Sequence, residues 1–365
     1  MWDDPDIAAV RDVAHKFFTQ EVCPQEEKHA AQGHPDRALY QRAGELGLSG
    51  MSIPEAYGGG GGTMAHFTAM IHEQVRCGAG SLGFAVSEGI VAHYLLAYAT
   101  EEQKQRWLPP MCRGDWIGSI AMTEPGTGSD LQAIKTRAVL TGEGDDAEYV
   151  ITGSKIFITN GFLCDLLIIA ARTGDDGAAG ISLLVAEVSD DTPGFERGRI
   201  LQKVGQKGQD TVELFFDGLR VPRSAVLGGT EGQGFYQLMQ QLPQERLITA
   251  VIGQAMTEAA VELTTDYVKS RNAFGKPLLA MQNTRFELAE CATISRVNRA
   301  FLTDCIASHV DGELDAVTAS MAKYWITDRT SEVVDRCQQM FGGYGYCVEY
   351  PIARLYADNR VLRVL

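Results

Sequence analysis

The stretch "YVITGSKIFITNG", Tyr149–Gly161, decides how this chain is read. It is rich in β-branched and aromatic residues and closes on Thr159–Asn160–Gly161, the composition of a strand that ends in a turn. Runs of the same kind follow it. "DLLIIAART" (165–173), "GISLLVAEV" (180–188) and "TVELFFDGLRVP" (211–222) are parted by Gly, Asp and Pro. Together they mark a β unit over about residues 119–225.

On both sides of that unit the period is helical. In "DIAAVRDVAHKFFTQEV" (6–22), Ile7, Val10, Ala14 and Phe17 recur at three- and four-residue steps, which places them on one buried face. The glycine run Gly58–Gly62 is a loop. After about residue 232 the helical period returns in three long segments, 234–271, 281–308 and 314–341. The chain therefore reads as α+β: an N-terminal all-α domain over 1–118, a middle β domain over 119–225 and a C-terminal helical domain over 226–365.

Composition bounds the function. The 365 residues suffice for two or three domains, and 45% hydrophobic with 22% charged residues is the profile of a globular protein. A formal net charge of −15 speaks against a broad nucleic-acid surface. No apolar run reaches the roughly 18 residues of a membrane span. "MWDDPDIAAV" (1–10) is too acidic and too weakly apolar for a secretory leader. The eight cysteines are scattered without a CxxC pair, as reduced core thiols are, and the histidines show no HxxxH or HExxH spacing, so no metal centre is expected.

Several stretches could carry chemistry. "AMTEPGTGSD" (121–130) sets Thr123, Thr127 and Ser129 among glycines and a proline where helices yield to strands. Hydroxyls and free N–H groups in such a turn can bind phosphate or a polar ring edge, although on composition alone a plain strand–turn is the commoner outcome. Phe157, Ile158 and Thr159 could pack a flat aromatic ligand, or belong to a bare hairpin. "GGTEGQGF" (228–235) precedes a long helix and could attract an anion at its N-terminus. "RNAFGKP" (271–277) and "QMFGGYGY" (339–346) are helix stops; Arg271 is also a reasonable phosphate hook.

"MQQLPQERLITA" (239–250) poses a separate question. An interior proline costs a helix about 3 kcal/mol. Pro243 can mark a helix start with Glu245 facing solvent. It can instead bend the helix at a reacting centre and aim the Glu245 carboxylate there.

At this point the sequence resembles the acyl-CoA dehydrogenase family, from about residue 5 to the end. "AMTEPGTGSDL", "GSKIFITNG", "RNAFGKP" and "FGGYGY…YPIARLYADNR" stand in that family's order and spacing, and "LPQERL" is most similar to its long-chain branch. The resemblance implies an N-terminal helical domain, a middle β-barrel or sandwich domain and a C-terminal four-helix bundle. The family continues past "RVLRVL" with a Gly-Gly-Thr-containing segment and a closing helix, so the sequence is expected to lack the family's last helix.

The resemblance also implies FAD and its site. Ala121, Met122, Thr123, Gly128 and Ser129 line the flavin, and Phe157, Ile158 and Thr159 flank its ring. Arg271, Gln282 and the run Gln339, Met340, Phe341, Gly342 and Gly343 hold the adenine dinucleotide half across a subunit boundary. Ser129, Tyr236, Pro243, Gln244, Glu245 and Arg246 contact acyl-CoA, with Glu245 as the catalytic base. The implied reaction is α,β-dehydrogenation of a fatty acyl-CoA to the trans-2-enoyl-CoA, with hydride passing to flavin N5. The implied partners are an electron-transfer flavoprotein and further copies of the chain in a homotetramer. With no import signal in the sequence, the expected location is a bacterial-type cytoplasm rather than a mitochondrial matrix. The alternatives are an acyl-CoA oxidase, or an inactive relative that binds acyl-CoA or flavin.

Overall fold

The structure is a computed structural model that describes residues 4–175 and 177–365; the first three residues of the segment read against a secretory leader lie outside the described residues. The N-terminal part is helical: α1 (Pro5–Phe17), α2 (Glu26–Gln32), α3 (Ala38–Glu45), α4 (Met64–Cys77), the short α5 (Phe84–Val86), α6 (Ala92–Tyr98) and α7 (Glu101–Cys112). Between α5 and α6 lies a wide, π-type turn, Ser87–Val91. Local chemistry sets the starts. Thr100 caps α7 by accepting the Gln103 N–H, while the Gln103 side chain accepts the Thr100 N–H, a reciprocal capping box. The face predicted on the first helix is buried at Ile7, Ala14 and Phe17, against Phe67 and Met70 of α4.

The middle part is a curled seven-stranded sheet in the order β1 (Gly118–Ala121), β4 (Leu166–Arg172), β2 (Arg137–Thr141), β3 (Glu148–Thr159), β7 (Thr211–Pro222), β6 (Phe195–Ile200), with β5 (Ile181–Glu187) paired to β4. β1 runs parallel to β4, with Ala121 opposite Ile169. The run "LLIIAA" is continuously apolar because both faces of β4 are covered. Leu166, Ile168 and Ala170 pack with Trp107 and Leu95 of the helices, whereas Leu167, Ile169 and Ala171 pack inside the curl with Tyr149 and Leu214. Each large apolar side chain so buried contributes about 1.5–3 kcal/mol. That double use ties the sheet to the helices on one side and closes it on the other.

After the sheet the chain forms α8 (Gly234–Ser270), a two-stranded hairpin of β8 (Asn272–Ala273) and β9 (Lys276–Pro277), α9 (Gln282–Val310), α10 (Ala316–Phe341) and α11 (Pro351–Asp358). The bundle has three long helices, with the short α11 as its fourth. α8 and α10 come close at Gly253, where the Thr330 hydroxyl donates to the Gly253 carbonyl at 2.9 Å. A Cβ at Gly253 would lie 3.0 Å from that hydroxyl.

α4, α8 and α9 share an ionic cluster. Glu258 of α8 meets His72 Nε2 at 2.7 Å and accepts from Arg299 Nε at 2.7 Å and from Gln254 Nε2 at 2.7 Å. Beside it, Glu73 accepts from Arg11 at 2.8 Å. His15, Glu73 and Cys77 bring possible metal-ligand atoms within 4.8 Å of one another. Glu73 is also engaged by Arg11 and Arg76, and burial pushes the Cys77 thiol up to about 11. All eight cysteines are free thiols. Cys347 is exposed and Cys23 and Cys77 are only half-buried, which corrects the expectation that all of them are core residues.

Candidate active site

The sheet contributes one wall. After β1 the chain turns back, with the Glu124 and Thr127 backbones bonded to each other. Glu124 fixes this turn from beneath. Its carboxylate accepts from the N–H groups of Lys135 (2.7 Å) and Thr136 (2.9 Å) and from Lys155 Nζ (3.0 Å), which also donates to the Met122 carbonyl at 2.8 Å. Burial opposes both charges, and it brings the Lys155 ammonium down to about 8. For Glu124 the lysine and the two amides outweigh burial and hold the carboxyl below its usual range. The small residues Gly128 and Ser129 are left exposed at the rim.

β3 makes the second part of the wall. Its register against β7 slips between Lys155 and Ile158. At the slip Phe157 adopts a φ of 63°, a left-handed conformation that costs a bulky residue on the order of 1–3 kcal/mol. The result is an aromatic ring 64% exposed on the sheet surface, while Ile158 returns to the core at 2%. The side chains of Ala121 and Ile158, expected to line a flavin, therefore belong to the sheet core, and only their backbones can face a ligand. Thr159 is half-buried, and its carbonyl accepts from the Ser119 hydroxyl at 2.7 Å.

The wide turn 87–91 joins this wall to α8. The Gly118 N–H at the start of β1 donates to Ser87 Oγ at 3.0 Å. On the other side of the turn, Gln244 Nε2 donates to the Gly89 carbonyl at 2.7 Å. Buried Asn160 tightens the same seam by donating to the carbonyls of Gly83 and Gly118. A five-residue loop thus holds the sheet edge and the Glu245 turn of α8 in fixed relation.

α8 runs unbroken through Pro243, so Pro243 is not a helix start. The proline's missing N–H leaves the Met239 carbonyl, four residues back, without its helical partner. Glu245 does not face bulk solvent. Its Oε1 accepts from the Tyr94 hydroxyl at 2.7 Å, and Tyr94 is fully buried. Burial raises the Glu245 carboxyl, with the Tyr94 bond and the Arg246 charge opposing that rise. Gln244, expected among substrate contacts, is instead buried. It is held at both ends, by Gly89 and by His309 Nε2 at 3.2 Å, and so acts as a structural clamp. Tyr236 is 48% exposed on the first turns of the helix.

At the far end of α8 an open cleft of about 500 Å³ is lined by Arg271, Gln339, Met340, Phe341, Gly342 and Gly343 among others. The structure brings these predicted residues together. Tyr267 stacks on Phe341 with centroids 4.1 Å apart, and Arg271 lies 5.5 Å from the Tyr344 ring centroid. Gly342 has a φ of 58° and nothing within 4 Å of where a Cβ would stand, so the backbone is open to a ligand. Gln282 starts α9, is exposed and does not line this cleft. In the glycine-rich segment before α8, the Gly232 N–H is taken up by Ser182 Oγ at 2.9 Å and the Gly228 N–H by Gln103 Oε1 at 3.1 Å.

Sequence reasoning missed Tyr94, Asn160, Ser87, Glu124 and Lys155. No local signal marks Tyr94 or Ser87, and Asn160 read only as part of a strand-ending turn, not as a side chain that ties the sheet to the helices. Glu124 and Lys155 lay inside stretches already singled out, but their pairing needs the fold.

The sequence matches the acyl-CoA dehydrogenase N-terminal domain over residues 4–115, the middle domain over 119–219 and the C-terminal domain over 232–365. It is 43% identical over 354 residues to the mitochondrial long-chain specific acyl-CoA dehydrogenase of Rattus norvegicus, covering 96% of this chain and 81% of that one. Among solved structures, an acyl-CoA dehydrogenase from Geobacillus kaustophilus superposes with a TM-score of 0.94 at 41% identity, over 99% of this chain and 94% of the other. A glutaryl-CoA dehydrogenase from Mycobacterium smegmatis in complex with FADH2 superposes with a TM-score of 0.89 at 26% identity, over 98% and 90%.

Proposed function

The chain belongs to the acyl-CoA dehydrogenase family, and from that premise we propose that it oxidises long-chain fatty acyl-CoA thioesters to trans-2-enoyl-CoA with Glu245 as the base. The observation that carries this reading is the placement of Glu245: a partly dry carboxylate on an unbroken helix, with one oxygen held by Tyr94. A carboxylate in water is far too weak to remove an α proton. Excluding water raises its basicity, and hydrogen bonds to the thioester oxygen lower the acidity gap from the other side.

The chain's residues fit FAD. The cleft beside Arg271 offers a guanidinium for phosphate and glycine backbone open to close approach, and the outturned Phe157 with Thr159 offers a surface for a flat ring. When bound, FAD supplies the acceptor for the hydride leaving the β carbon. Arg271 and the Gln339–Gly343 backbone would hold the dinucleotide, and Met122, Thr123, Phe157 and Thr159 would orient the ring. Tyr236 and Arg246 would contact acyl-CoA.

Two partners complete the proposal. Phe274 is 95% exposed at the tip of the β8–β9 hairpin, next to the Arg271 cleft, which favours a further copy of the chain covering that edge in a homotetramer. Reduced flavin needs an electron acceptor, and an electron-transfer flavoprotein fits that need. Anaerobic titration of the purified yellow protein with acyl-CoAs of graded length tests the function. Loss of flavin absorbance is expected, most completely with long chains. Retention of the oxidised spectrum with every length would overturn it.

A further inference from the structure

Tyr94, which holds one oxygen of Glu245, has a specific geometry of its own. It sits on α6 with no exposed surface, and its ring meets Tyr98 edge-on at 6.0 Å. Tyr98, one turn further along, donates to the Gln237 carbonyl and accepts from Gln241 Nε2 at 3.4 Å. The two tyrosines thus form a ladder along the α8 turns before the catalytic glutamate. Only the Tyr94 rung ends on a carboxylate. Among the described residues Glu245 Oε2 has no hydrogen-bond partner.

We propose that Tyr94 is the positioning residue of the base: its hydroxyl holds Oε1 of Glu245 so that Oε2 alone meets the substrate's α proton. This rests on Glu245 being the base. The bond has two consequences. It fixes the carboxylate plane at the moment of proton transfer, and it stabilises the ionised form that burial disfavours. Burial and the adjacent carboxylate both keep the Tyr94 phenol protonated, so it remains a donor.

The surrounding charges do not replace it. Tyr98 also faces the carboxylate from α6, and Arg246 lies beside it on α8, with Lys323 of α10 near that guanidinium. His309 of α9 faces Gln244, and His93 of α6 faces Ser52. Glu88 of the wide turn faces the Gly50 N–H, His72 of α4 faces Glu258, and Glu187 of β5 faces Arg106. Among the described residues, Tyr94 is the one hydrogen-bond donor to the Glu245 carboxylate, while Thr249 donates to its backbone carbonyl.

The test is the pH profile of flavin reduction in single-turnover mixing with acyl-CoA, on FAD-loaded protein. Tyr94→Phe keeps the ring and removes the donor. The ascending limb should move up by roughly one pH unit, with a rate loss of about tenfold below it. Tyr98→Phe, one turn away, should leave the limb in place. If Tyr94→Phe does not fold, a ring-fluorinated tyrosine at position 94 decides: the more acidic hydroxyl donates more strongly and should move the limb down. An unmoved limb in both Tyr94 variants, or faster reduction in Tyr94→Phe, overturns the positioning role. Failure of the underlying base assignment is distinct, because Glu245→Gln would then still reduce flavin at the wild-type rate.

Discussion

Glu245 and Glu258 stand on the same helix and behave as opposites. Among the described residues, the Glu245 carboxylate has one neutral hydroxyl, that of Tyr94, for a partner, and burial raises it. Glu258 is also largely buried, but His72 and Arg299 overcome burial and bring it down to about 2, with Gln254 donating beside them. The helix supplies only the platform; the partners decide the role. A carboxylate bound by a guanidinium and an imidazole is a poor base and a strong anchor, whereas one left with a single neutral donor keeps its basicity.

The comparison breaks most sharply on substitution. Glu245→Gln should retain FAD and thermal stability but lose roughly 10²-fold or more in the rate of flavin reduction, the scale of a missing general base; stopped-flow absorbance checks this. Glu258→Gln should do the reverse. It leaves Arg299 and His72 facing a neutral amide, and a loss of about 2–3 kcal/mol in denaturant unfolding is expected with the rate per folded enzyme little changed.

The pH dependence sharpens the contrast further. Glu258 and Glu73 are both depressed in the folded state, from an ordinary 4.5 to about 2. For Glu73, too, burial is the largest influence, and the adjacent His72 imidazole with the Arg11 bonds overcomes it. Their contribution is therefore present above about pH 4.5 and is lost as pH falls towards 2. Acid unfolding followed by circular dichroism should show that loss in the wild type and a shallower one in Glu258→Gln. The smallest effect is expected away from both carboxylates. Arg271→Ala removes the cation at the open cleft and should weaken FAD retention by roughly tenfold, read by dialysis and flavin absorbance, while leaving the pH behaviour of both glutamates unaltered.

The contrast also explains what could be read without coordinates. The order helices–sheet–helices was legible because period-2 and period-3.6 patterns are written locally, in "YVITGSKIFITNG" and in the spacing Ile7, Val10, Ala14, Phe17. The Arg271 and Gln339–Gly343 segments were legible as candidates because helix stops carry glycine and proline. The partners of the two glutamates were not. Tyr94 lies far from Glu245 in sequence, as His72 does from Glu258, and only the packing of α4 and α6 on α8 brings them into contact. Pro243 suggested a helix start or a bend, but the helix runs through it from Gly234 to Ser270, since tertiary context overrides local propensity.

The central claim is that Glu245 removes the proton next to the thioester. Its most direct test is exchange at that carbon. Acyl-CoA incubated anaerobically in D2O with the FAD-loaded enzyme should gain deuterium at the α position with wild type and not with Glu245→Gln. Equal exchange by the two proteins would contradict the claim.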